Sequence, residues 1–261
     1  MAYARLRTSS RLRVSLAFWS ALGLLLTEAF AVPVALVHSP DAMAPAAAVT
    51  FGWWLLVTLV FIGGAALLNT PDGMQVDHYG VPNGLTALRT WACIPLLVAA
   101  VLSLPGRLGL LLWVSVGGTV GLLDAVDGVI ARRFGPVTVL GKAMDPFGDA
   151  LFFLAGALGG HLLGMLPLWL AALIAFRYAA PVLATPFVFL ANRRPELVHT
   201  AWGRRNTVLT GYVIFILFWV RLAAGPVWLV ALIVALPTLV PTTILHFASL
   251  VRRTAEAPKA R

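Results

Sequence analysis

Four aspartates have the type and spacing to do chemistry. Asp124 and Asp127 stand three apart, and Asp145 and Asp149 four apart, inside the stretch GLLDAVDGVIARRFGPVTVLGKAMDPFGD that runs from Gly121 to Asp149. The whole chain has ten acidic residues, so four within 26 positions is a local concentration. The flanking sequence is apolar enough for a bilayer, where carboxylates persist only with partners. Together they point to a divalent cation site. All-oxygen ligation suits a hard ion, Mg²⁺ or Mn²⁺. Four carboxylates can hold two such ions, which would clamp the attacking and leaving oxygens of a phosphoryl transfer. The natural substrate for that clamp is a diphosphate, and at a membrane surface a lipid diphosphate.

Helical geometry groups these residues. At about 100° per residue, Asp127 lies about 60° to one side of Asp124, Gly128 about 40° to the other, and Ala131 about 20° away. All four occupy one arc of a single helix. Asp145 and Asp149 stack one turn apart on the next. Gly128 and Ala131 remove bulk from the arc, so a ligand or helix can approach closely. The short link through Phe134–Lys142 makes the two helices antiparallel neighbours. Arg132, at the end of the first, can give a phosphate a charge-assisted bond.

The elements that must position this cluster follow from composition. The 261 residues are 60% hydrophobic and 11% charged, outside the soluble globular range. The expected class is all-α, a polytopic membrane helical bundle. Eight segments are long enough to cross, at roughly 14–37, 46–69, 84–104, 108–132, 143–164, 166–191, 207–222 and 225–250. The first is too long, and lacks the cleavage site, to be a signal peptide. The net charge of +9 does not indicate nucleic acid, because the basic residues cluster between spans. Arg5, Arg7, Arg11 and Arg13, then Arg132, Arg133 and Lys142, then Arg193, Arg194, Arg204 and Arg205, and finally Arg252, Arg253, Lys259 and Arg261 all fall on one side of an eight-span chain. The other side keeps Arg107 and Arg221. The positive-inside rule then places both termini and the aspartates in the cytoplasm of a cell with an inner or plasma membrane location. The polar stretch Asn69–Gly84 separates two leading spans from six. The expected organisation is an N-terminal arm and accessory hairpin over 1–78, a six-helix working core over 79–252 and a tail over 253–261.

The motif D-x2-D-G-x2-A-R-x8-G-x3-D-x3-D runs unbroken from Asp124 through Asp149. It resembles the signature of the CDP-alcohol phosphotransferases. Pro82, Asn83, Gly84, Leu85 and Thr86, followed by Arg89 and Pro95, look like the segment that opens that family's first core helix. The resemblance covers about residues 82–252. It implies a six-helix fold, often a homodimer, that moves a phosphatidyl or related group from a CDP-linked donor such as CDP-diacylglycerol to an alcohol, releasing CMP. Carried over, it makes Asp124, Asp127 and Asp145 metal ligands. Asp149 becomes both a ligand of the second ion and the general base. Gly128, Ala131, Arg132 and Thr138 would lie against the cytidine diphosphate, with Asn83 and Thr86 approaching from the neighbouring helix.

The acceptor is read from arginines. Arg193, Arg194, Arg204 and Arg205 lie with His199 between spans six and seven, and suit a phosphorylated alcohol as well as they suit topology and lipid headgroups. Arg177 falls midway along span six, where it completes an acceptor cavity or pairs with a carboxylate of another helix. The resemblance leans to glycerol 3-phosphate, because Asp145-Pro146-Phe147-Gly148-Asp149-Ala150 keeps the proline of the D-P-x-A-D-K run seen in glycerophosphate- and cardiolipin-forming members. Ala150 stands where those members carry lysine. Inositol phosphate or another alcohol is the alternative acceptor. A non-enzymatic transporter is the alternative class; it predicts acids near the midplane and a repeated half, and neither is present in the sequence. Glu28 has no opposite charge nearby in sequence. Cys93 reads as a small core residue. The nine tryptophans read mostly as an interfacial belt.

Overall fold

The computed structural model describes residues 2–104, 106–134, 137–190 and 201–256, with the side chains of 4, 123–134 and 189 outside that description. It is all-α. Helices α1 (Ala2–Thr8), α2 (Ser10–His38), α3 (Pro40–Gly63), α4 (Val81–Leu102) and α5 (Gly106–Phe134) are followed by α6 (Val139–Leu162), α7 (Leu168–Leu190), α8 (Ala201–Leu222) and α9 (Val227–Glu256). Each of the eight expected spans corresponds to one long helix. Among the described residues, six helices are long and apolar enough to cross a membrane: α2, α3 with its 3-10 extension to Leu67, α4, α7, α8 and α9. The other two carry the aspartate motif. The described apolar stretch of α5 is Gly106–Leu122, and α6 holds Lys142, Asp145 and Asp149 in its first half. The chain is a polytopic membrane protein.

Helix starts are set by local chemistry. Ser9 caps α2 by accepting from the Leu12 amide at 3.2 Å, and Ser39 caps α3 in the same way from Asp41, with Pro40 in the first turn. Thr138 caps α6, accepting from the Gly141 amide at 3.0 Å. Each cap supplies one acceptor to a first turn that has amides without helical partners. The polar connector before α4 is ordered. Asn69 and Gln75 form an isolated antiparallel bridge, closed by Gly73 at φ +84°, where a side chain would be strained.

The chain divides into two compact units, Met1–Gly159 and Gly160–Arg261. In the first, α2 and α3 pack against α4. Trp53 donates to the Thr90 carbonyl at 2.9 Å, Trp54 to that of Ser20 at 2.8 Å and Trp91 to that of Trp54 at 3.2 Å. Trp113 of α5 donates to the Leu96 carbonyl of α4 at 2.7 Å. The indole N–H groups of Trp53 and Trp54 thus satisfy carbonyls of neighbouring helices. Glu28 finds its partner on the hairpin's other arm, accepting from Thr50 at 2.9 Å. Cys93 is buried with 1% exposure and a free thiol, as expected of a core residue.

In the second unit, α8 and α9 are tied by Asn206, fully buried on α8. Its amide donates to Thr242 at 2.7 Å and Thr243 at 3.1 Å, and its oxygen accepts from Thr210 at 3.2 Å. The α7 and α9 helices meet through Phe176 and Phe247, whose rings are 5.1 Å apart. A turn with Gly164 at φ +67° leads into α7, and Arg221 donates to the Leu163 carbonyl there at 3.0 Å.

Candidate active site

The described part of the site is a polar seam between α4 and α6, built in three rungs. At the first, the Thr138 hydroxyl donates to Asn83 Oδ1 at 2.8 Å. At the second, the Thr86 hydroxyl donates to Asp145 Oδ1 at 3.0 Å. At the third, Arg89 Nη2 pairs with Asp149 Oδ1 at 2.8 Å. The spacing explains the ladder. Asn83, Thr86 and Arg89 recur about every turn of α4, while positions 138, 145 and 149 fall about two turns and then one turn apart at the start of α6. Glycines let the helices approach. A Cβ at Gly141 would stand 3.0 Å from Asn83 Oδ1, and one at Gly148 would stand 3.1 Å from the Thr90 hydroxyl.

Burial grades along these rungs. Asn83 and Thr86 are each 3% exposed, and Arg89 and Thr138 each 2%. Asp149 keeps 23% of its side chain exposed. A guanidinium this deeply buried is tolerable only against a counter-charge, and Asp149 supplies it. The functional residue that sequence reasoning undervalued is Arg89. It stands in the resembling segment, but no spacing rule ties it to a carboxylate 60 residues later. Its signal was an arginine inside an apolar helix, a position that calls for a partner.

The aspartate pair of α5 enters through helix register. Trp113 of α5 lies against Gly159 of α6, and Gly121 lies against Phe152. Positions rising along α5 therefore meet positions falling along α6, the antiparallel arrangement expected from the short link. Continued a further turn or two, this register brings the helix levels of positions 124 and 127 to those of Asp149 and Asp145. The side chains of Asp124, Asp127, Gly128, Ala131 and Arg132 lie outside the described residues. Among the described residues no group of three or more potential ligands forms a metal cluster; Asp145 and Asp149 are the two ligands available for description. The donor set fits a hard divalent ion in kind: it is all carboxylate, and both described members are oriented by hydrogen bonds from α4, as outer partners orient metal ligands.

The expected acceptor residues are distributed differently. Arg193 and Arg194 lie outside the described residues, as does His199. The stretch read as a loop to Asn206 becomes helix at Ala201, so Arg204 and Arg205 sit exposed on the first turns of α8. Arg205 also lies over the Trp202 ring, at 5.0 Å from its centroid. Arg177 is 5% exposed. Its Nη2 donates to the Gly203 carbonyl at 2.7 Å and to the Thr207 hydroxyl at 3.1 Å.

The model for CDP-alcohol phosphatidyltransferases matches residues 79–243, more than half of the chain. The chain belongs to that family. The matched region begins two residues before α4 and takes in the whole seam. A probable phosphatidylglycerophosphate synthase of Mycobacterium tuberculosis is 28% identical over 130 residues, half of this chain and 60% of that protein. A cardiolipin synthase (CMP-forming) of Streptomyces coelicolor is 37% identical over 59 residues, 23% of this chain and 27% of that protein. The chain thus spans less than two thirds of either relative. No solved structure matches.

Ala150, where the glycerophosphate branch carries lysine, is 7% exposed. Gly148, where the glycerophosphate branch carries alanine, faces Thr90 and Arg89. An alanine would crowd the hydroxyl of Thr90.

Proposed function

We propose that this family member transfers a phosphatidyl group from CDP-diacylglycerol to a small alcohol, releasing CMP, with glycerol 3-phosphate as the acceptor. The observation that carries the reading is the seam that orients Asp145 and Asp149 from α4. The name of one relative, a probable phosphatidylglycerophosphate synthase, supports the choice of acceptor. So does Pro146 within the motif.

Asp124, Asp127, Asp145 and Asp149 would hold two Mg²⁺ or Mn²⁺ ions. Bound there, the ions would neutralise the donor diphosphate and ease departure of CMP. The remaining work falls to the chain's own groups. Asp149 accepts the proton of the acceptor hydroxyl at a carboxylate oxygen. That hydroxyl oxygen forms a bond to the lipid-side phosphorus as the bond from this phosphorus to the CMP oxygen breaks. Arg89 fixes the Asp149 carboxylate so that this proton transfer has one geometry. Thr86 does the same for Asp145. Asn83 and Thr138 are turned into the seam and serve the donor site by holding the start of α6. Gly128, Ala131 and Arg132 would serve the nucleotide, as the family motif implies.

Arg193, Arg194, Arg204 and Arg205 supply the charge for a phosphorylated acceptor. Arg177 acts through Gly203, holding the helical turn on which Arg204 and Arg205 stand. The basic clusters support a cytoplasmic face for the site. The test is purified protein with CDP-diacylglycerol, Mg²⁺ and a panel of alcohols, following CMP release. Turnover with glycerol 3-phosphate above inositol phosphate, inositol and serine is expected. Preference for an uncharged alcohol would reject the acceptor assignment, and no CMP release with any of them would reject the reaction.

A further inference from the structure

The first two membrane helices precede the matched region, which starts at residue 79, and no part of the chemistry above uses them. They nevertheless touch both sides of the seam. On the α4 side, Trp19 of α2 donates to the Tyr79 carbonyl at 2.9 Å, two residues before α4 begins. The same indole lies flat over Gly84, leaving no space for a Cβ. Gly84 sits between Asn83 and Thr86, so the ring rests on the turn that carries two rungs. On the α6 side, the Val139 amide donates to the Asn69 carbonyl at 2.8 Å. Leu140, 2% exposed, fills the space over Gly64 at the end of α3. Residues of α2, α3, α4 and the start of α6 share one buried core.

We infer that the N-terminal hairpin is a positioning device for the active site, with Trp19 the residue that sets the register of α4 against α6. The inference rests on the proposed transferase reading for its functional consequence. Its physical basis is independent of that reading. Two helices joined by polar rungs and a small apolar contact can still slide or tilt by a fraction of a turn. A third body that grips the first turns of both removes that freedom. A displacement of about 1 Å at a reacting group costs about 100-fold in rate, so the grip acts on kcat more than on donor affinity.

The experiment is a double-mutant cycle between Gly84→Ala and Trp19→Ala in the full-length protein, read in two ways. In CMP release, Gly84→Ala is expected to lower kcat by about 10- to 100-fold with a smaller change in KM for CDP-diacylglycerol. In the Trp19→Ala background, where the clash is gone, the same substitution should cost no more than about two-fold. In hydrogen exchange, Gly84→Ala should raise the exchange of amides in 139–149, on a helix it does not belong to, and Trp19→Ala should cancel that added increment. An additive cycle, or unchanged exchange in 139–149, would overturn the inference. A parent protein that releases no CMP yet shows the coupled exchange would sink the transferase reading and leave the positioning role standing. A parent that turns over normally while the cycle is additive would do the reverse.

Discussion

Both compact units bury arginine and amide side chains among apolar helices, but they use them differently. In the second unit, Arg177 is tied to the Gly203 carbonyl and the Thr207 hydroxyl. Asn206 is tied to three threonines. These contacts among the described residues are to neutral groups, and they lock one helix to another. In the first unit, Arg89 and Thr86 are tied to carboxylates that keep some exposure. Intramembrane polarity by itself therefore says little about chemistry. What separates a site from a fastener is the presence of charge that the surrounding protein orients and leaves accessible.

The sharpest way to break this comparison is Asp149→Asn. The amide oxygen can still accept from Arg89 but no longer neutralises it, so some stability is lost, while CMP release per folded molecule falls by about 1,000-fold or more for loss of the base. Near-parental turnover would remove Asp149 from the chemistry. Next in size is Arg89→Ala. It leaves Asp149 without its counter-charge, and because that carboxylate is 23% exposed the expected cost is about 2–3 kcal/mol of stability, below that of a fully buried pair. Denaturant unfolding in detergent measures it. Arg89→Lys should recover part of the stability and little of the rate, since an ammonium lacks the planar fork.

The fasteners should behave in the opposite sense. Asn206→Leu, which strands buried threonine hydroxyls, should cost about 1–3 kcal/mol without changing KM for either substrate. Arg177→Gln should lower the unfolding midpoint yet move KM for glycerol 3-phosphate less than Arg204→Ala or Arg205→Ala does. A KM effect larger than those would make Arg177 an acceptor ligand after all. The smallest effect belongs to Asp77 in the connector. Hydrogen bonds from His78 and then Arg11 hold its carboxyl below the usual carboxylate range. The folded state thus binds that proton less readily than the unfolded chain. The contribution is present above the ordinary carboxylate range and is lost as pH falls through it. Both partners are exposed, so Asp77→Asn should leave the midpoint almost unmoved at neutral pH and indistinguishable from the parent in acid.

Hydropathy and charge spacing alone located the eight long helices among the described residues, with the bounds of α3, α8 and α9 off by six residues at one end or both, because a membrane helix must be long, apolar and internally hydrogen-bonded. They also isolated the aspartates, since acids in such a chain are rare enough to stand out. The same reasoning extended a loop to Asn206 that ends at Ala201, because Trp202, Gly203 and the arginines there give no helical periodicity to read. Asn83, Thr86 and Thr138 were named as donor contacts on resemblance. That they form rungs with one another and with Asp145 required the helices to be laid side by side.

What the amino-acid order determined was the inventory: which segments enter the bilayer, which carry acids, and how those acids repeat along each helix. Periodicity is a property of a single helix, so it can be read from one strand of text. What only the tertiary structure decided was pairing across helices, Arg89 with Asp149 and Trp19 with Gly84. Those pairs join positions about 60 residues apart, and their register depends on how small and large side chains interlock when the helices meet.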